Sequence, residues 1–195
     1  MKTTRLEAFS DGFLAIIITI MVLELKIPHG AGAESLEPLF AHFLSYLMSF
    51  VYLGIYWNNH HHMLHTVERA TGGMLWANLH LLFWLSLVPV ATGWMGENLL
   101  AKLPTALYGV ILLMAAIAYS ILQNVIIRVQ GERSILAEAV GRDWKGKLSV
   151  LLYTAAIVVS YVRPWIADAL YIIVAIMWLV PDRRIERLIS ASGKP

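Results

Sequence analysis

Apolar residues run through the chain in blocks, with polar punctuation between them. Blocks of about 20 residues, the length at which a helix crosses about 30 Å of hydrocarbon, fall at 7–27, 36–58, 72–95 and 104–127. Two shorter blocks follow at 145–162 and 165–181, where the apolar runs are Leu148 to Val162 and Trp165 to Val180. Trp144 and the stems of Lys145 and Lys147 lengthen the first by snorkelling, and Arg163-Pro164 turns the pair into a thin hairpin. The pattern predicts an all-α membrane protein, a single domain over residues 1–195 with six spans per chain.

Loop charge tests this count, because Lys and Arg in short flanking loops set orientation. With the N-terminus inside, the cytoplasmic side holds Lys2, Arg5, Arg69, Arg128, Arg133, Arg142, Lys145, Lys147, Arg183, Arg184, Arg187 and Lys194. The outside holds Lys26, Lys102 and Arg163. Twelve against three favours six spans with both termini cytoplasmic, whereas merging the last two blocks would put the basic tail outside.

Composition agrees. Of the 195 residues, 58% are hydrophobic and 14% charged, with a mean hydropathy of +0.66, against about 25% charged in an ordinary soluble domain. A net charge of +2, scattered between apolar blocks, excludes a nucleic-acid footprint. The absence of cysteine excludes disulfides, thiolate metal sites and a cysteine nucleophile. Ala31-Gly32-Ala33 has the spacing of a signal-peptide cleavage site, but Glu7 and Asp11 sit in the supposed positive region, so the first segment is expected to stay as a helix. The longest polar stretch, Arg128 to Lys147, reads either as a solvated loop or as an amphipathic helix with Ile135 and Leu136 at the interface.

Polar groups inside a bilayer need a reason, and the first block carries Ser10 and Asp11 near one end and Thr19 in its middle. Ile16, Thr19, Ile20 and Leu23 share one stripe, which Arg5, Phe9 and Gly12 extend inward. Asp11 points roughly 120–140° away from it. An ionised Asp at that depth takes a partner such as Arg, His or Asn from a neighbouring helix, as a structural latch, or else lies in interfacial water. The stripe by itself fits ordinary helix packing, with the Thr hydroxyl bonded back to its own turn.

Arg5-Leu6-Glu7-Ala8-Phe9-Ser10-Asp11 gives R-x-x-x-F-S-D at the start of the first span. This resembles the signature of the transmembrane protein 175 family of potassium channels. Trp57-Asn58-Asn59-His60 is similar to that family's W-x-x-H, and Asn78-Leu79 with Pro89 to its asparagine and proline positions. The motifs cover roughly the first 95 residues, and only the span count extends the resemblance to the rest.

The resemblance implies a channel for monovalent cations selective for potassium over sodium, lacking a T-V-G-Y-G filter, with the first helices lining an axial pore. For a chain with one six-span repeat it implies a homotetramer in the bacterial plasma (inner) membrane, with no bound cofactor and no resident metal, only transient potassium near Thr19. It makes Ile16 an apolar constriction, Thr19 a hydroxyl ring, Leu23 a second constriction and Ile20 an assisting residue. It also implies a hydrogen-bonded latch of Arg5, Asp11, His60 and Asn78, with Phe9, Ser10 and Trp57 as motif residues. Glu24 is placed to concentrate cations at the outer mouth, or is simply a solvated helix-end carboxylate.

Rival readings are weaker. His60, His61, His62 and His65, with Glu68, form a candidate metal cluster, and a metal-cation transporter is the alternative function. Such a transporter wants paired ligands at mid-membrane, which His42 and His80 do not supply by spacing. The same run also reads as a wet, pH-tuned helix end with His60 structural, and a haem pair of His42 and His80 is a coincidence of two lone histidines. An enzyme is not expected: Ser10 and Asp11 point about 100° apart and cannot flank one His as a triad, and H-E-x-x-H is absent. A secondary transporter would want broken helices in paired repeats, and Pro89 and Gly93 interrupt only the third span.

Overall fold

The structure, a computed structural model, describes residues 3–67, 69–131, 134–141 and 143–179. Lys2, Glu68, Glu132, Arg133, Arg142, Arg183, Arg184, Arg187 and Lys194 therefore lie outside the described residues. Among the described residues the architecture is all-helical. Helix α1 runs Thr3–Leu23, followed by a 3₁₀ segment Ala33–Leu39; α2 is Phe40–His65, α3 Gly72–Ser86, α4 Val88–Glu97 and α5 Lys102–Gln130. The short α6 is Ile135–Val140, α7 is Trp144–Ser160 and α8 Pro164–Leu179.

Several boundaries differ from the hydropathy blocks, each for a local reason. Helix α1 closes at Leu23 instead of 27, its last turn tightened by Glu24 and Leu25 N–H groups donating to the carbonyls of Met21 and Val22. Pro28 then disfavours helical backbone at Ile27. The block beginning at 36 starts instead as 3₁₀ helix, and regular α-helix begins at Phe40. The third block is divided at Leu87, because Pro89 brings no N–H to continue α3 and instead suits the first turn of α4. The polar connector contains one helix of six residues, α6, capped by the Ser134 hydroxyl accepting from the Ala137 N–H. Leu136 and Ala139 are buried in it, so that turn packs inward.

Among the described residues four segments are long and apolar enough to cross a membrane: Thr3–Leu23, Phe40–His65, Gly72–Glu97 and Lys102–Gln130. Helix α8 is a shorter apolar helix, and α7 has 17 residues. Helix α5 lies at the centre, packed on α3 and α7, while α7 pairs with α8 and α1 rests on α2, α3 and α4.

The distribution of side chains is that of a protein in hydrocarbon. Large apolar residues such as Leu47, Phe50, Leu151, Val158, Ile172 and Ile173 are exposed. The interior holds tyrosines and small hydroxyls that bond one another. Ser49 Oγ lies 2.6 Å from Thr92 Oγ1 and 2.9 Å from the Tyr108 hydroxyl. Tyr52 donates to the Tyr171 carbonyl at 2.6 Å, and the Tyr171 hydroxyl to the Thr105 carbonyl at 3.0 Å. Lipid offers such groups no partner, so bonding them inside is the stable arrangement. Gly109 lets α5 approach α8, since a Cβ there would run into the Tyr171 hydroxyl and Ile157.

Candidate functional site

Helix α1 has two apolar faces with different fates. Thr3, Leu6, Ser10, Leu14, Ile17 and Met21 are buried against the chain's own bundle. The face turned away carries Phe9 (51% exposed), Ile16 (59%), Ile20 (46%) and Leu23 (81%), with Arg5, Gly12 and Thr19 also exposed. Among the described residues, its chain neighbours and the helix's own backbone aside, nothing lies within 4 Å of where a Gly12 Cβ would stand. Ile16 and Leu23, seven residues apart, are separated by about 10.5 Å along the axis. The Thr19 hydroxyl donates to the Ile16 carbonyl at 2.8 Å. That bond uses the hydroxyl proton and leaves oxygen lone pairs free to accept, so the group can meet a cation.

The buried face ends in a network joining three helices. Asn78 Nδ2 in α3 donates to Ser10 Oγ in α1 at 2.9 Å, and Ser10 Oγ donates onward to the Leu6 carbonyl at 2.9 Å. Asn78 Oδ1 lies 2.7 Å from His60 Nε2 in α2. With the amide nitrogen committed to Ser10, Oδ1 accepts, so Nε2 carries the proton. Ser10, Asn78 and His60 are all buried, at 0%, 0% and 2% exposure.

The expected latch of Arg5, Asp11, His60 and Asn78 is thus arranged differently. Among the described residues Asp11 makes no ion pair or hydrogen bond with Arg, His or Asn; its Oδ1 accepts from the Trp57 indole N–H at 3.0 Å, toward the exposed edge of α2. Helical angle explains this, because Asp11 and Ser10 are about 100° apart and only one of them faces α3. Arg5 lies on the exposed stripe, and among the described residues its guanidinium makes no ion pair. Glu24 lies off the stripe, its carboxylate against Gly93 of α4. Beside it Lys26 Nζ and Glu97 Oε1 pair at 2.8 Å across a solvated surface, tying the end of α1 to α4.

The histidine run forms a ladder of rings. Trp57 stacks on His61 with centroids 6.2 Å apart, and His61 lies 5.4 Å from His65 and 5.8 Å from His62. Among the described residues no group of three His, Asp or Glu is placed to hold a metal. His42 and His80 do not face each other as a pair: His80 Nε2 accepts from the Trp84 indole at 3.0 Å, and the His42 ring packs under Gly96.

Sequence reasoning missed the ties that hold the start of α1 and the end of α5 to the residues just after α2. Thr3 Oγ1 donates to the Val67 carbonyl at 2.8 Å, and Gln130 Nε2 to the Thr66 carbonyl at 2.6 Å. The available signal was an isolated polar residue at the margin of an apolar block, which names a candidate but not its partner.

Comparison with known proteins bears on the same segments. The family model described as the endosomal/lysosomal potassium channel TMEM175 matches residues 5–89, the stretch containing Ser10, Asp11, Trp57, His60 and Asn78. A potassium channel of Chryseobacterium sp. (strain P1-3) is 56% identical over 187 residues, covering 96% of this chain and 97% of the relative. A potassium channel of Chamaesiphon minutus is 29% identical over 187 residues, covering 90% and 92%. The crystal structure of a lysosomal potassium-selective channel TMEM175 homologue from Chamaesiphon minutus matches with a TM-score of 0.80 at 29% identity. That match covers 92% of this chain and 97% of that one. Similarity along nearly the whole length, and not at the motifs alone, means that the chain belongs to the TMEM175 family.

Proposed function

We propose that the chain is a potassium channel, four copies of which surround an axial pore lined by the exposed face of α1. The observation that carries the proposal is that face: Ile16, Thr19 and Leu23 exposed on a helix whose other face is packed against its own bundle. Lipid contact would also cover apolar side chains. It gives no use to an Arg and a Gly on one stripe, whereas an axis shared by copies of the helix uses both and also meets the Thr19 oxygen, whose proton is held by the Ile16 carbonyl. Arg5 sits at the wet end, Gly12 permits close approach, and Thr19 presents oxygen. The relatives named as potassium channels supply the ion.

In this reading α7 and α8 complete six crossings despite their length, with both termini cytoplasmic, in the inner membrane of a bacterium. The rings of Ile16 and Leu23 hold water out of the closed pore, and a small widening readmits it. The Thr19 oxygens between them replace part of the water that an ion sheds, and potassium sheds it more cheaply than sodium. Ser10, Asn78 and His60 hold α1 at fixed distance from the axis, so pore width is set by the bundle behind it.

Thr19→Ala tests the selectivity step. In bilayers with mixed potassium and sodium, the variant is expected to shift the reversal potential toward the unselective value while still conducting. An unchanged reversal potential would remove Thr19 from the filter.

A further inference from the structure

A groove of about 370 Å³ runs between α2, α4 and α8, away from the exposed face of α1. Its walls are almost wholly apolar, with Leu44, Leu47, Met95, Ile172 and Ile176 among them. The carboxylate of Asp168 stands among them too. Among the described residues Asp168 Oδ1 is buried and accepts no hydrogen bond, and no Lys or Arg pairs with the side chain. Ser45, the other polar residue of the groove, has its hydroxyl donated to the Ala41 carbonyl at 3.1 Å. A carboxylate in such surroundings is costly unless a donor reaches it.

Depth narrows what that donor is. Tyr161 and Trp165, both exposed, mark the membrane–water interface where α8 begins. Asp168 is three residues further on, about 4.5 Å deeper, and Ile172 and Ile176 lie about 6 and 12 Å beyond it. The groove thus has a negative oxygen at headgroup depth and hydrocarbon walls below it. A metal ion would find one carboxylate and too few further oxygens.

From this geometry we infer that the groove binds a phospholipid whose headgroup carries a primary ammonium, with the ammonium donating to Asp168 and an acyl chain lying along α8. A quaternary headgroup has no N–H to give, and an anionic headgroup is repelled. This inference rests on the membrane-spanning reading proposed above.

The test is native mass spectrometry of the full-length chain exchanged into phosphatidylethanolamine or phosphatidylglycerol of matched acyl chains, with potassium flux measured in vesicles of the same lipids. The parent is expected to retain the ethanolamine lipid several-fold better. Asp168→Asn, which keeps the side chain's shape, is expected to abolish the preference, and Leu47→Trp, which fills the groove and spares the carboxylate, to lower retention. Equal retention of both lipids by the parent, or an undiminished preference in Asp168→Asn, would overturn the inference. So would a change in the number of associated chains in Asp168→Asn with lipid retention unaltered, since a second copy would then be covering the groove. Flux without lipid preference defeats this inference alone; lipid preference without flux supports it and defeats the channel reading alone.

Discussion

Ile16→Asn is expected to raise passive potassium flux through the closed channel by about tenfold or more, since lowering a barrier by about 1.4 kcal/mol is a tenfold change in rate. On the proposed reading, four isoleucines meeting on an axis keep water out of the constriction, and four amides readmit it. The prediction separates pore from lipid because Ile16 makes no part of the buried core. If it faces water when the pore is wet, Asn there leaves folding nearly unchanged, as surface substitutions do, within about 0.5 kcal/mol. If it faces lipid, the amide is stranded in hydrocarbon, so stability falls and flux stays put. Potassium efflux from liposomes and a thermal melt of the same preparation give both readouts.

The second large effect falls on stability. Asn78→Leu removes the amide that accepts from His60 and donates to Ser10, groups with 2% and 0% exposure. A buried polar group left without its partner costs about 1–3 kcal/mol; His60 is stranded outright while Ser10 keeps its bond to the Leu6 carbonyl, so the loss, with that of the second hydrogen bond, is on the order of 2–4 kcal/mol. Against a total of about 5–15 kcal/mol for a folded domain, that is a large fraction. The melting temperature is expected to fall on the order of 10 °C, taking about 2–4 °C per kcal/mol for a chain of this size. Adding Ser10→Ala and His60→Phe to Asn78→Leu is expected to recover part of the loss, because no polar group is then stranded. A melt of Asn78→Leu that matches the parent would mean that the network contributes nothing.

Much of the fold is legible from periodicity, and the reason is visible in α1. Its buried residues recur at helical spacing opposite an equally regular exposed stripe, so spacing groups the residues of each face, although it does not say which face the bundle buries. Periodicity does not report distance between helices. Nothing near Ser49 signals that Thr92 and Tyr108 would meet it, 43 and 59 residues away. The partner of Asp11 was illegible for the same reason: a carboxylate at the edge of a helix accepts from whichever donor the neighbour presents there, in this case the Trp57 indole. Asn78 and His60 came into view through family resemblance, and their joining to Ser10 instead of Arg5 is a result of side-chain direction. The division of the third block at Leu87 follows from Pro89 by local chemistry, yet an apolar count passes over it because both neighbouring turns are equally apolar.

Copies of this chain are proposed to conduct potassium passively. The most direct test is ion flux in liposomes holding the purified parent protein, with opposing potassium and sodium gradients and no energy source. Flux is expected down either gradient, faster for potassium, without saturation and without coupling to a second ion. Flux that saturates and drags a second ion with it, or no flux of either ion from correctly assembled protein, would contradict passive conduction.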